Sequence, residues 1–170
     1  MSKKEVAKKL RAIKVISNKP VKLRSGLQSS FYCDIKKVYG YPRILSELVK
    51  EISKLIPKDI TCIAASGYGG LPLAVATSSA LNLKFTAVRD KAKKHGRGGF
   101  IDGYVPNKSD KVLIVDDVLT TGSSIKETYS ILRKTKAKII CAVVVVKRGN
   151  VKLPIPYKYV FAIEDLIKNI

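Results

Sequence analysis

The residues best equipped for chemistry lie between Lys111 and Ser124, in the order Lys-Val-Leu-Ile-Val-Asp-Asp-Val-Leu-Thr-Thr-Gly-Ser-Ser. Two adjacent carboxylates, Asp116 and Asp117, precede Thr120, Thr121, Gly122, Ser123 and Ser124. Carboxylates repel phosphate, but they accept hydrogen bonds from sugar hydroxyls or hold a magnesium ion. Small residues at a helix start let backbone amides converge on an anion, and the helix N-terminus adds partial positive charge. A phosphate cradle beside two acceptors suits a ribose 5-phosphate. A second cradle is spelled by Ser66-Gly67-Tyr68-Gly69-Gly70, where glycines admit an anion close to the backbone. Two cradles in one small domain imply a ligand with two phosphate groups at separate points.

These groups need a scaffold that brings them to one edge. Val112 to Val115 is four apolar residues, three of them β-branched, which reads as a strand buried on both faces. Ile125 to Arg133 follows with helical spacing. Ile60 to Ala65 is a second strand, followed by a glycine-rich turn and a helix over 71–81. Strand, turn and helix in parallel α/β sheets place ligands at the carboxyl ends of the strands. The rest of the chain supports that class. Helices are expected over 3–17, 42–56 and 164–168, and strands over 85–88, 139–146 and 157–163. Short extended pieces are expected over 21–25, 31–35 and 100–105.

Rival readings of the central stretch are weaker. An apolar strand ending in acids also fits a nucleotide-hydrolase strand, but no G-x-x-x-x-G-K-[ST] occurs in the chain. A capped helix after a core strand explains the Ser and Thr residues but not the paired acids. Three other segments carry candidate groups. Arg24-Ser25-Gly26 with Ser29-Ser30-Phe31-Tyr32 is either a plain hairpin or an aromatic and cationic edge for a planar anionic ligand. Residues 89–99 hold cations, three glycines and the one histidine, His95, which suits either a basic surface loop or a lid closing over a ligand. Lys147-Arg148-Gly149 follows a buried strand on the ligand side of the sheet.

Composition sets the outer limits. At 170 residues the chain fits one domain with a full core. A charged fraction of 27% and a hydrophobic fraction of 46% fit a soluble globular protein, with no membrane-spanning run. The first ten residues hold no signal-peptide core. The basic helix over 3–17 fits packing on the core or lying on a membrane surface. Cys33, Cys62 and Cys141 show no paired spacing, and with a single histidine no zinc site is expected. A reducing cytoplasm is expected. The net charge of +20 fits an anionic partner, a polyphosphate substrate or a nucleic acid, or simply a lysine-rich surface.

Val112 to Ser124 resembles the phosphoribosyl-diphosphate signature of the type I phosphoribosyltransferases, and roughly residues 3 to 165 are similar to the orotate phosphoribosyltransferases among them. The resemblance implies an α/β fold with a central, mostly parallel sheet flanked by helices, in a single domain over 1–170. A small hood, mainly 1–40 plus the C-terminal segment, would cover it. It implies that Asp116, Asp117, Val118, Leu119, Thr120, Thr121, Gly122, Ser123 and Ser124 bind the phosphoribosyl part, with the diphosphate on Ser66, Gly67, Tyr68, Gly69 and Gly70. Arg89, Lys93 and His95 would be catalytic, on a loop over 89–99 that reaches into the neighbouring subunit of a homodimer. Orotate would meet Thr120, Arg148, Arg24, Ser25 and Tyr32. Magnesium would be bridged by the substrate, with help from Asp117.

The reaction so implied joins orotate to the phosphoribosyl group of phosphoribosyl diphosphate, giving orotidine 5'-monophosphate and diphosphate in pyrimidine biosynthesis. Neither nucleic acid nor membrane is an implied partner. Three departures from the family pattern stand out: Asp90 and Gly69 stand where many members have lysine, and Arg24 replaces a common lysine with different geometry. The alternatives are a sister enzyme using a purine or uracil, and a phosphoribosyl-diphosphate-sensing regulator that binds nucleic acid.

Overall fold

A capping box starts the first helix. Glu5 N donates to Ser2 Oγ at 3.3 Å, and Ser2 N donates to Glu5 Oε2 at 2.6 Å. The structure, a computed structural model, describes residues 2–17, 21–22, 28–29, 31–93 and 99–167. Helix α1 (Lys3–Ala12) buries Val6, Ala7 and Leu10. It stops short of the expected Ser17 because Lys14 takes a left-handed φ of 55°. Val15 and Ile16 are still buried, so the apolar spacing continues after the helix has ended. Strand β1 (Ile16–Ser17) then awaits a partner. Strands β2 (Val21–Lys22) and β3 (Gln28–Ser29) pair antiparallel, and β4 (Tyr32–Cys33) pairs with β1.

Residues 35–40 form a 3-10 helix with Ile35 and Val38 buried, in place of the extended end expected there. Pro42 opens α2 (Pro42–Ser53), which buries Leu48, Val49 and Ile52. Then come β5 (Cys62–Ser66), α3 (Gly67–Leu81), β6 (Lys84–Lys93), β7 (Gly99–Gly103), β8 (Lys111–Leu119), α4 (Ser123–Leu132), β9 (Lys138–Lys147), β10 (Tyr157–Ala162) and α5 (Ile163–Ile167).

Six strands form one sheet in the order β10-β9-β8-β5-β6-β7, all parallel except the β6–β7 pair. Both faces are covered, which explains the unbroken apolar runs. On one face Cys62, Ala64, Val112 and Ile114 pack with Ile125 and Leu132 of α4. On the other, Ile63, Leu113, Val115 and Val143 pack with Leu10, Leu48, Ile52 and Leu73. Each fully buried Val, Leu or Ile contributes about 1.5–3 kcal/mol. From β5 the chain crosses through α3 to β6; from the adjacent β8 it crosses through α4 to β9, on the opposite side. The carboxyl ends of β5 and β8 therefore open at the topological switch point, where such sheets bind ligands.

Two expectations change in ways that matter for this edge. The glycine-rich turn over 66–70 is no separate loop, since α3 begins at Gly67, whose φ of +67° makes the corner. Likewise β6 runs past the expected Val88 to Lys93, so 89–93 of the anticipated 89–99 loop is strand, which meets β7 again at the Lys93–Gly99 pair after an irregular stretch.

At the amino end of the sheet Asp110, 1% exposed, holds the strand entries together. It accepts hydrogen bonds from Thr61 Oγ1 (2.9 Å), Lys84 Nζ (3.0 Å), the Tyr104 hydroxyl (2.7 Å) and Asn107 N (3.0 Å). Burial alone would raise its pKa, but these donors outweigh it and hold the carboxyl well below its ordinary range. No helix among the described residues is long and apolar enough to cross a membrane.

Candidate active site

Strand β8 carries both acids within it rather than after it. Asp117 N donates to Asp116 Oδ1 at 2.9 Å, and Val118 N donates to Asp117 Oδ1 at 2.8 Å. Burial, and then the neighbouring Asp117 charge, push the Asp116 carboxyl well above its usual range. Leu119 turns its side chain into the core and offers only backbone to a ligand; its carbonyl accepts from Arg148 N at 3.0 Å.

Gly122 makes the turn into α4. Its φ is +74°, which favours glycine; a Cβ there would also stand 2.6 Å from Leu153 Cδ2, which would have to shift. No side chain caps α4, which leaves its first amides without a side-chain partner. Thr121 and Ser123 flank them, exposed, with their hydroxyls 3.3 Å apart. Helix α3 likewise lacks a side-chain cap, so Gly67, Tyr68 and Gly69 head a second helix start on the same edge. The middle of α4 is tied to the start of α3: Thr128 Oγ1 donates to Ser66 Oγ at 2.9 Å.

The acids and the α3 turn fit against each other. A Cβ on Gly69 would overlap the Asp117 carboxylate, and one on Gly70 would lie 2.9 Å from the Val115 carbonyl and 3.2 Å from Asp116 Oδ1. A longer side chain at position 69 is therefore incompatible with this placement of Asp117. The Tyr39 hydroxyl donates to the Gly69 carbonyl from the other side.

Arg89 lies on β6 and pairs with Asp102 of β7. It borders a cavity of about 450 Å³ shared with Gly67, Tyr68, Leu71 and Asp102. A second cavity, of about 360 Å³, joins Arg89 and Asp90 to Ser66, Lys126 and Thr128. Lys93 is placed as strand backbone, paired with Gly99. Arg24, Ser25 and His95 lie outside the described residues.

Arg148 emerges at the carboxyl end of β9, and its guanidinium stands over the Phe31 ring at 4.3 Å. The neighbouring Tyr32 meets Lys36. Lys36 Nζ donates to its hydroxyl at 3.4 Å and lies 5.7 Å from its ring centre. The aromatic residue against Arg148 is thus Phe31, a member of the same aromatic and cationic segment as Tyr32. Cys33 sits close by; burial, then the charge of Asp117, push its thiol up to about 12, which leaves it inert. All three cysteines are free and buried.

The structure thus gathers Asp116, Asp117, the 120–124 turn, the 66–70 turn, Arg89 and Arg148 along one edge. Sequence reasoning missed Tyr39 and Thr128. Tyr39 is 30 residues from its partner, and Thr128 lies mid-helix. Only the placement of α4 beside β5 gives it a role.

A model of the phosphoribosyl transferase domain matches residues 41–170. The chain belongs to the phosphoribosyltransferase family. Its branch of that family is the orotate phosphoribosyltransferases. It is 43% identical over 126 residues to the orotate phosphoribosyltransferase of Methanocorpusculum labreanum, across 74% of this chain and 72% of that one. The crystal structure of orotate phosphoribosyltransferase from Aeropyrum pernix matches at a TM-score of 0.84 and 26% identity, over 96% of each chain. Leishmania donovani UMP synthase matches at a TM-score of 0.86 and 28% identity; the match covers 98% of this chain but 37% of that longer one.

Proposed function

We propose that this chain transfers the 5-phosphoribosyl group of phosphoribosyl diphosphate to orotate, giving orotidine 5'-monophosphate and diphosphate in pyrimidine biosynthesis. The observation that carries the reading is the meeting of paired acids with two uncapped helix starts at the switch point of the sheet. Asp116 and Asp117 accept hydrogen bonds from the ribose hydroxyls, and the amides and hydroxyls of 120–124 hold the 5-phosphate. The 66–70 turn takes the diphosphate. With Gly69 in place of a lysine, its backbone amides carry that contact.

Breaking the anomeric bond leaves positive charge on the ribose and negative charge on the departing diphosphate. Arg89, Lys93 and His95 neutralise that departing charge, and residues 89–99 close over it to exclude water. Arg89 must exchange its Asp102 partner for diphosphate oxygens. Arg148, backed by Phe31, takes the carboxylate of orotate, with Thr120, Arg24, Ser25 and Tyr32 around the base. Residues 1–40 and the C-terminal segment form the hood of a single domain, and the chain works as a cytoplasmic homodimer whose 89–99 segment serves the neighbouring site.

Magnesium fits this site as a substrate-bridged ion. Among the described residues no three His, Cys, Asp or Glu side chains cluster to cage a metal. Magnesium commonly takes one or two carboxylates and completes its shell with phosphate oxygens and water. Asp117 would be the carboxylate that helps hold it, and the ion would neutralise charge building on the diphosphate.

The test is loss of orotate absorbance when phosphoribosyl diphosphate and magnesium are supplied, alongside uracil, adenine and hypoxanthine. Consumption of orotate alone supports the reading. Turnover of another base instead would make the chain a sister enzyme, and salt-sensitive nucleic-acid binding without turnover would make it a regulator.

A further inference from the structure

Tyr39 plays no part in the function above, yet it touches the diphosphate turn directly. Its hydroxyl donates to the Gly69 carbonyl, and the same peptide unit has Asp117 packed against its Cα. The turn needs such support. Gly67 makes the left-handed corner, and Gly69 and Gly70 follow in the first turn, where a glycine disfavours helix by up to about 1 kcal/mol relative to alanine. A turn of that composition is held by tertiary contacts rather than by its own propensity. Besides Tyr39, the Thr128–Ser66 hydrogen bond, the Asp117 carboxylate against Gly69 and the Val115 carbonyl against Gly70 hold it.

The phenol is suited to a permanent donor. Burial raises its pKa first, and the charges of Asp117 and Asp116 add to the effect, so it keeps its proton throughout the working range. Its backbone is fixed by the 3-10 helix over 35–40, anchored by the fully buried Ile35 and Val38. The same N-terminal segment also lays Phe31 against Arg148. One short stretch of chain therefore reaches both the base side and the diphosphate side of the site.

We propose that Tyr39 is a positioning residue for phosphoribosyl diphosphate, fixing the 67–69 amides for the diphosphate through its hydrogen bond to the Gly69 carbonyl. This rests on the reading of the 66–70 turn as the diphosphate site. Tyr39 donates to the protein and not to the ligand, so its loss loosens the turn without removing a substrate contact. The cost falls on binding of one substrate.

The experiment compares wild type with Tyr39→Phe, which removes one oxygen and keeps the ring in its packing. Calorimetric titration with magnesium phosphoribosyl diphosphate is paired with steady-state kinetics for both substrates and a melting curve. Expected is a roughly 3- to 10-fold weaker affinity and higher KM for phosphoribosyl diphosphate, the range of one neutral hydrogen bond. The KM for orotate and kcat at saturation should stay within about twofold. Unchanged affinity in the variant overturns the proposal. So does an equal loss for both substrates that tracks a lower melting temperature, since that marks a merely structural contact. Wild type that binds no phosphoribosyl diphosphate overturns instead the reading of the turn itself, and this proposal with it.

Discussion

The Asp117 carboxylate lies against the Cα of Gly69, at the place a side chain would leave the backbone. Position 69 and the acid of β8 are therefore one design choice. A protein with a side chain at 69 must point this acid elsewhere, and this chain trades that side chain for a close fit.

Gly69→Ala should separate folding from function. Alanine favours the helical conformation by about 1 kcal/mol over glycine, so the melting temperature should hold or rise slightly. Its methyl group displaces the Asp117 carboxylate, so kcat/KM for phosphoribosyl diphosphate should fall at least about tenfold, equivalent to ~1.4 kcal/mol. Steady-state kinetics beside a melting curve check this. Unchanged kinetics would mean that Asp117 moves without consequence.

Asp116→Asn should stabilise the protein and disable it. Burial and then the neighbouring Asp117 charge raise the Asp116 pKa in the folded state. Such a carboxyl favours folding below its unfolded pKa, about 3.9, and that contribution is lost as pH rises through the folded value. At neutral pH the aspartate thus weakens the fold, and asparagine relieves the penalty. The variant should therefore melt at a higher temperature than wild type at pH 7. The gain should vanish as pH falls toward 4, while turnover at pH 7 drops by roughly 10² or more. Melting curves across pH, with turnover assays, follow both effects.

Asp110→Asn should do the reverse. The folded-state pKa of Asp110 is depressed, so its contribution is present above the unfolded value and lost as pH falls through the folded one. Hydrogen bonds to a charged group are worth about 1.5–3 kcal/mol, so the variant should melt roughly 3–12 °C lower at pH 7. The gap should narrow in strong acid. Turnover of the folded variant at low temperature should stay near wild type, because Asp110 sits at the opposite end of the sheet from Arg148 and Gly122.

Much of this was legible in the chain itself, for identifiable reasons. Val112 to Val115 and Val143 to Val146 are buried on both faces, so their composition alone marks them as central strands. Gly122 announces its turn because its positive φ suits glycine. Other features were set by tertiary contact. Three glycines in four residues read as a loop, yet α3 starts there because Gly69 and Gly70 pack against Asp117 and the Val115 carbonyl. Residues 89–93 are mostly charged and lack apolar alternation, so nothing local marked them as a continuation of β6, which meets β7 again at the Lys93–Gly99 pair. The Tyr39–Gly69 and Thr128–Ser66 contacts join positions 30 and 62 residues apart, beyond any periodicity.

Lys93→Ala should lower turnover by roughly 10²- to 10³-fold if its ammonium neutralises the departing diphosphate. Mixing that variant with Asp117→Ala should restore part of the activity when the 89–99 segment serves a neighbouring subunit. Absence of rescue would assign each site to one chain.

The most direct measurement is a crystal structure with magnesium phosphoribosyl diphosphate bound. The account predicts the 5-phosphate on the amides of residues 122–124, the ribose hydroxyls on Asp116 and Asp117, and the diphosphate on residues 67–69. Density for the pentose diphosphate anywhere but the edge where β5 and β8 end would contradict it.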